Sequence, residues 1–385
     1  MSHIHVCLVS DQPIPNVLSI YHFKPDELLF ITTEEMERKR KVDSILDALN
    51  TTGMDYLKKA EKVIVKEDSI LDCHKKLEEW IKGREDSEFV LNLTCGTKIM
   101  SIAAYEYFKD YSSRMIYIPL PKNEFIIPFP KKTPGKVVPL NLRLDVRGYL
   151  TAYGLRILNA GKLASNQAAA QQRRNLSEWI VRSYDKIKPL LERLSEKLRK
   201  HRDDRREFEF ITGCEPKLKK EEELLQKLGF SYARGVYGRT LNQSEVVYIT
   251  GGWLEEFCFN ELLKFKGKGI DDLVLGIIPQ NALGRNNEFD IMFTKDNALY
   301  TVECKSLDQK DDTKTEALYK IAALQKDFGL RVESFFVSTS PYILKDGKLK
   351  TAVRARAEQF KTTVIPPGEV LNFGKKVAER LGLNG

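Results

Sequence analysis

The chain has 385 residues, 42% of them hydrophobic and 30% charged, with a formal net charge of +8. That length exceeds one ordinary core and points to two domains, while the composition excludes disordered and collagen-like classes and no apolar run is long enough to span a bilayer. The positive excess is uneven: residues 1–150 carry 22 basic and 22 acidic side chains, residues 151–205 carry 13 and 6, and residues 206–385 carry 27 and 26. Only the middle segment therefore has a surplus that attracts phosphate.

The first residues enter a strand-like pattern with no basic region or cleavage site ahead of it, so a cytoplasmic location away from membranes is expected. Short apolar strands are predicted at 3–9, 28–31, 63–65, 89–93 and 115–118. Helices are predicted between them at 34–49, 70–81 and 98–109, with a turn at Pro13 and Pro15. This alternation predicts a Rossmann-like α/β domain over residues 1–150, a parallel sheet covered on both faces.

Residues 121–160 read as hairpin and connector. A long helix is expected from 165 to about 200, kinked at Pro189, within a helical connector spanning 151–206. Its apolar positions Leu176, Ile180, Tyr184, Ile187, Leu191, Leu194 and Leu198 form a narrow seam that suits another domain or another subunit. The charged run 197–206 is expected to fray. Residues 207–385 then read as a second α/β unit, with helices at 221–228, 253–265 and 315–326. Its strands are predicted at 273–278, 288–293, 298–305 and 334–338.

The chemistry concentrates in two of those strands. Glu288-Phe289-Asp290 opens one, Glu303-Cys304-Lys305 closes the next, and Lys295-Asp296-Asn297 forms the turn between them. Alternation puts Glu288 and Asp290 on one face, with Phe289 and Ile291 on the other, and gives Glu303 and Lys305 a common face. Two carboxylates and a lysine brought together suit phosphodiester hydrolysis. The carboxylates hold Mg²⁺ or Mn²⁺, and the lysine orients or deprotonates the attacking water. The six cysteines form no CxxC pair and the five histidines show no ligand-like spacing with them. A carboxylate-held hard cation is thus the metal to expect.

This pattern resembles the PD-(D/E)xK nuclease superfamily, a restriction-endonuclease-like α/β fold, with Phe289 where the family proline stands. The resemblance implies catalytic roles for Asp290, Glu303 and Lys305, with Glu288 beside them and Asp290, Glu303 and Cys304 at the metal. It also implies an acid from the preceding helix. Gly251-Gly252-Trp253-Leu254-Glu255-Glu256 offers Glu256 or Glu255, and spacing leaves the choice open.

In the first domain two polar turns follow strands, Ser10-Asp11-Gln12-Pro13-Ile14-Pro15-Asn16 and Thr94-Cys95-Gly96-Thr97-Lys98. Both occupy strand C-termini, where doubly wound folds bind ligands, and the second offers amides, hydroxyls and a cation to an anion. The segment Asn92-Leu93-Thr94-Cys95-Gly96-Thr97-Lys98-Ile99-Met100 resembles a signature of CARF domains. The whole order resembles the CARF–nuclease effectors of type III CRISPR systems. That resemblance implies a homodimer whose joint cleft binds a cyclic oligoadenylate, above all cyclic tetra-adenylate. Ser10, Asp11, Gln12, Asn16, Thr94, Gly96, Thr97, Lys98 and Met100 are its candidate contacts. It further implies a nuclease, acting on DNA or RNA with little sequence preference, that is activated when the cleft fills.

Overall fold

The computed structural model describes residues 2–130, 137–307 and 328–383, and the helix expected at 315–326 lies outside them. Strands β1 His3–Leu8, β2 Glu27–Thr32, β3 Ala60–Ile64, β4 Glu88–Asn92 and β5 Ser113–Tyr117 run parallel in the order β3-β2-β1-β4-β5. Two antiparallel strands, β6 Glu124–Phe129 and β7 Val138–Pro139, extend the sheet. The strand order reverses between β1 and β4, so the C-terminal ends of those two strands flank a crevice.

Among the described residues six helices belong to this half: α1 Ile14–Phe23, α2 Glu34–Arg38, α3 Lys41–Thr51, α4 Ile70–Trp80, α5 Lys98–Phe108 and α6 Val146–Ala152. The turn expected at Pro13 and Pro15 is the start of α1, whose first turn holds a proline. A proline suits that position because its missing N–H would have no helical partner. The single helix expected over 34–49 is two, because Arg40 at φ 53° adopts the left-handed conformation between α2 and α3.

Past the two-residue strand β8 Arg156–Ile157, the long helix is also divided. Helix α7 Ala160–Gln172 and α8 Arg174–Leu198 meet at Arg173, and α8 continues through Pro189. A small sheet follows, built from β9 Phe208–Ile211, β10 Ser231–Ala233 and β11 Val236–Leu241, with α9 Lys219–Lys227 inserted before β10. Then come α10 Gln243–Val247 and α11 Trp253–Leu263.

The C-terminal sheet begins with β12 Asp272–Ile277, and β13 Pro279–Gln280 leaves it to pair with β8. Strands β14 Phe289–Lys295 and β15 Ala298–Lys305 form a hairpin against β12. Strand β16 Val332–Ser338 joins β15 in parallel. After the short hairpin β17 Leu344–Lys345 and β18 Lys348–Leu349 and helix α12 Thr351–Gln359, β19 Thr362–Ile365 closes the sheet on β16, and α13 Phe373–Leu381 follows.

These elements stack in five layers. Helices α4 and α5 cover one face of the N-terminal sheet. Its other face packs on α1, α3 and α6, and the same apolar cluster continues into Val274, Ile277, Phe289, Met292 and Leu299 of the C-terminal sheet. Helices α8 and α11 cover that sheet's far face. Ile180, Ile187, Leu191, Leu194 and Leu198 of the α8 seam are fully buried there, against this chain's own second domain.

Candidate functional site

The β14–β15 hairpin owes its register to a two-residue turn. Asp296 and Asn297 sit at φ 51° and 57°, the left-handed pair that matches strand twist and that aspartate and asparagine tolerate. Ile291 then stands opposite Val302, so Asp290 comes next to the Glu303 end of β15. The Cys304 N–H donates to Asp290 Oδ2 at 2.6 Å. Glu303 is 3% exposed, and its Oε1 lies 3.2 Å from Lys305 Nζ.

Alternation fails at one place. Ile291 faces the core under α11 whereas Phe289 faces the core shared with the N-terminal half. Across the sheet, Leu275 and Ile277 divide in the same way around Gly276, at φ 67°. Asp290 thus sits where the strand turns over. Glu288 precedes the strand and is exposed, so it does not share a strand face with Asp290 as expected.

The helix acid is resolved by what each candidate touches. Glu256 is buried under the Arg173 guanidinium, whose Nε lies 3.2 and 3.1 Å from its two oxygens, and Arg173 also covers the Tyr248 ring. The Glu256 carboxylate, expected as a catalytic group, is therefore taken up by an ion pair that also fixes the break between α7 and α8. Glu255 instead joins the other carboxylates. Burial, then repulsion from Glu288, Glu303 and Glu256, pushes its pKa up to about 7, against the opposing pull of Arg202. Burial followed by Glu255 and Glu303 likewise pushes Asp290 well above the usual carboxylate range. Acids crowded together without enough positive charge have this signature.

Gly251 makes the approach of α11 possible. Its φ of 150° suits glycine alone, and a Cβ there would come within 2.7 Å of Ser306 Oγ. Cys304, implied at the metal by the resemblance, has a buried thiol whose pKa is raised by burial first and then by the Cys258 thiol and the Asp290 and Glu255 carboxylates. As a thiol it suits a hard cation less well than the carboxylates beside it.

Among the described residues no group of three or more His, Cys, Asp or Glu side chains is arranged to hold a metal. The donor chemistry nevertheless fits a hard divalent cation. Asp290, Glu303 and Glu255 offer carboxylate oxygens, and a cation would relieve the raised pKa values of Asp290 and Glu255.

The second site lies at the crevice between β1 and β4. Asn16 and Asn92 are fully buried beneath it. Asn16 Nδ2 donates to Leu8 O at 2.8 Å, and Asn92 Nδ2 donates to Asn16 Oδ1 at 2.9 Å. Asn92 Oδ1 accepts from both the amide and the hydroxyl of Thr94. This asparagine pair ties the two turns together, so Asn16 supports the crevice rather than lining it. Met100, also named as a contact, is 1% exposed in the core. The resemblance that named it could not tell which face of the helix it occupies.

Above that floor the remaining residues are accessible. Ser10 Oγ accepts from the Gln12 N–H at 3.1 Å. Burial would raise the Asp11 carboxyl, but Lys39 at 2.9 Å and Lys41 at 3.4 Å hold it below its ordinary value. Gly96, at φ 76°, lets the turn pass over Leu8, where a Cβ would stand 3.0 Å from Leu8 Cβ. Thr97 caps α5 by accepting from the Met100 N–H, and it and Lys98 are exposed. Gln12 also reaches out of its own domain. Its Oε1 accepts from Tyr153 Oη at 3.1 Å and from the Leu330 N–H at 3.4 Å. Tyr153 and Leu330 carried no sequence signal, since neither belongs to a motif.

Two family models match the chain: the Card1 CARF domain over residues 4–149 and the Card1-like endonuclease domain over residues 242–383. Among the curated proteins none matches the chain in sequence. Among solved structures, protein VC1899 of Vibrio cholerae is similar with a TM-score of 0.77 and 20% identity, over 99% of this chain and 98% of that one. Can2 of Sulfobacillus thermosulfidooxidans, in complex with cyclic tetra-adenylate, is similar with a TM-score of 0.75 and 21% identity, over 97% and 98%. A type III CRISPR defence DNA nuclease activated by cyclic oligoadenylate aligns with a TM-score of 0.54 and 15% identity, over 93% of this chain and 52% of that one. At these identities the likeness establishes a common fold.

Proposed function

We propose that this chain, which belongs to the family joining a Card1 CARF domain to a Card1-like endonuclease domain, is a metal-dependent nuclease of type III CRISPR defence switched on by a cyclic oligoadenylate. The observation that carries the reading is the gathering of Glu255, Asp290, Glu303 and Lys305 at the end of one hairpin. Asp290 and Glu303 would hold Mg²⁺ or Mn²⁺ with Glu255 as the third acid. When bound, such a cation polarises the phosphoryl oxygen and acidifies a water molecule. The Cys304 N–H fixes the rotamer of Asp290. Lys305, held by Glu303, is placed to orient the attacking water and to meet charge developing on the phosphate. Arg202, at the end of the basic middle segment, acts on Glu255 and favours approach of a polyanion.

The activator would occupy the crevice over β1 and β4, against Ser10, Asp11, Gln12, Thr94, Gly96, Thr97 and Lys98. A four-fold cyclic nucleotide suits a two-fold cleft, so two copies of the chain would share one cyclic tetra-adenylate. Support comes from the fold shared with Can2, which was solved with that nucleotide.

The test is a cleavage panel of labelled single- and double-stranded DNA and RNA with Mn²⁺ or Mg²⁺, with and without cyclic tetra-adenylate. The expected result is cleavage that needs both the metal and the nucleotide, and its loss in Asp290→Ala with nucleotide binding intact. Full cleavage without nucleotide would remove the regulatory half of the proposal, and no cleavage of any substrate would remove the whole.

A further inference from the structure

Gln12 stands where three pieces of the chain meet. Its backbone belongs to the crevice: the N–H donates to Ser10 Oγ at 3.1 Å, and the carbonyl oxygen accepts from the Cys95 thiol at 3.2 Å. The turns after β1 and β4 are thus joined at this residue. Its half-buried side chain reaches the other half of the molecule. The Oε1 atom accepts from Tyr153 Oη and from the Leu330 N–H, which occupies both of its lone pairs. A backbone N–H only donates, so the carboxamide oxygen has to face Leu330 and Nε2 points elsewhere. Among the described residues Nε2 has no hydrogen-bond partner, and it is not closed off from solvent.

Leu330 sits at the head of β16. The next residue, Arg331, accepts through its carbonyl oxygen from the Leu299 N–H at 3.0 Å. The pairing of β16 with β15 opens there and runs on to Ser338, opposite Lys305. The Leu330 side chain is 73% exposed, so hydrogen bonding rather than burial places its backbone. Tyr153 closes the same corner. Its ring leaves no room for a Cβ on Gly329, and the neighbouring ring of Tyr149, 5.1 Å away, donates its hydroxyl to Phe328 O.

We propose that Gln12 couples the activator crevice to the strand pair that carries Glu303 and Lys305. Its Nε2 donates to an acceptor atom of the bound nucleotide, while Oε1 holds Tyr153 and the head of β16. The resonance that keeps a peptide unit planar keeps the carboxamide planar as well. Nε2 therefore cannot turn toward a ligand without carrying Oε1, and the groups bonded to it, along. Tyr153 is a positioning residue that acts through Gln12. The inference rests on the reading of the crevice as the nucleotide site.

The experiment is hydrogen exchange of the full chain with and without cyclic tetra-adenylate, in wild type and Tyr153→Phe. Nucleotide affinity by calorimetry and cleavage rates with Mn²⁺ are measured alongside. Tyr153→Phe removes one donor and keeps the ring. In wild type the nucleotide should change exchange both at residues 94–100 and at residues 328–338. In Tyr153→Phe the change at 94–100 should persist, with affinity within about threefold, whereas the change at 328–338 is lost and stimulation of cleavage falls about tenfold. Cleavage without nucleotide should be unchanged.

Equal changes at 328–338 in both proteins, or none in a wild type that binds, would overturn the coupling and leave the activator reading intact. Faster nucleotide-free cleavage by Tyr153→Phe would overturn it too, because the contact would then be a brake. So would faster exchange throughout the variant, the mark of a merely structural role. A wild type that binds no nucleotide would overturn both readings. One that binds without cutting would overturn the nuclease reading alone, since exchange still reads the coupling. Should Tyr153→Phe not fold, Gln12→Leu serves, and a nucleotide-dependent change at 328–338 that survives in it would overturn the proposal.

Discussion

Two adjacent glutamates show how differently one sequence step can be used. Glu255 faces Asp290 and Glu303, whereas Glu256 holds Arg173. Glu255→Gln should therefore lower cleavage on the order of 10–100-fold with an unchanged urea midpoint. Glu256→Ala should leave Arg173 buried and unpaired and destabilise the fold by about 3 kcal/mol, read as a lower urea midpoint. The reverse pattern would reassign the two roles. Spacing could not separate them, because neighbours on a helix differ by 100° of direction and the sequence does not say which direction faces the sheet.

His5 gives the residue scale a pH dependence. It is fully buried in β1, with Nε2 3.0 Å from Ser19 Oγ and Nδ1 unpartnered. Burial, reinforced by His22, lowers its pKa to about 3. The folded chain keeps the ring neutral while the unfolded chain takes up a proton below about 6.5. The stability is thus fully present above that value and is lost as pH falls toward 3. From pH 7 to pH 5 the loss from this group is about 2 kcal/mol. Urea melts at the two pH values should show that difference in wild type and lack it in His5→Gln.

At the scale of elements, the β14–β15 hairpin was legible because its signals are local: an Asp-Asn turn, apolar alternation on either side, and acids at the strand ends. Helix α1 was not, because Pro13 and Pro15 mark a helix start and a turn equally well until the chain beyond them is placed. The strand turnover at Asp290 was hidden too, since it answers to Gly276 on a neighbouring strand. The turn itself has a second duty. Asn297 is fully buried, donates to Asn123 Oδ1 and Leu142 O at 2.9 Å each, and accepts from the Leu144 N–H at 2.9 Å. Asn297→Gly keeps the left-handed conformation but removes all three bonds. We expect a loss of about 2 kcal/mol in a denaturant melt, and no loss would mean that the turn alone matters.

At the scale of the molecule, the order of two domains could be read from the alternation of strands and helices, but their fusion could not. An amphipathic pattern says that a face is covered, not by what. Helix α6 closes the N-terminal core and at the same time packs on β12 and β14, and Tyr149 Oη donates to Phe328 O at 3.0 Å. Gly329 passes so close to Tyr153 that no Cβ fits. One apolar layer thus serves two sheets. The full chain should melt in a single transition seen alike by circular dichroism and tyrosine fluorescence. Residues 1–150 produced alone should melt without cooperativity and bind a hydrophobic dye, and a sharp melt of that fragment would show the halves to be separable.

The hairpin joins these scales. Strand β15 has Asn297, anchored in the N-terminal half, just before one end and Lys305 at the other. Eight residues of extended chain span roughly 26 Å. Paired with β14 on one side and β16 on the other, that length behaves as a stiff rod. One strand thus has its first end tied to the connector around Leu142–Leu144 and its last end among the carboxylates. In mechanical terms it is a rigid strut, with one foot in each half of the chain.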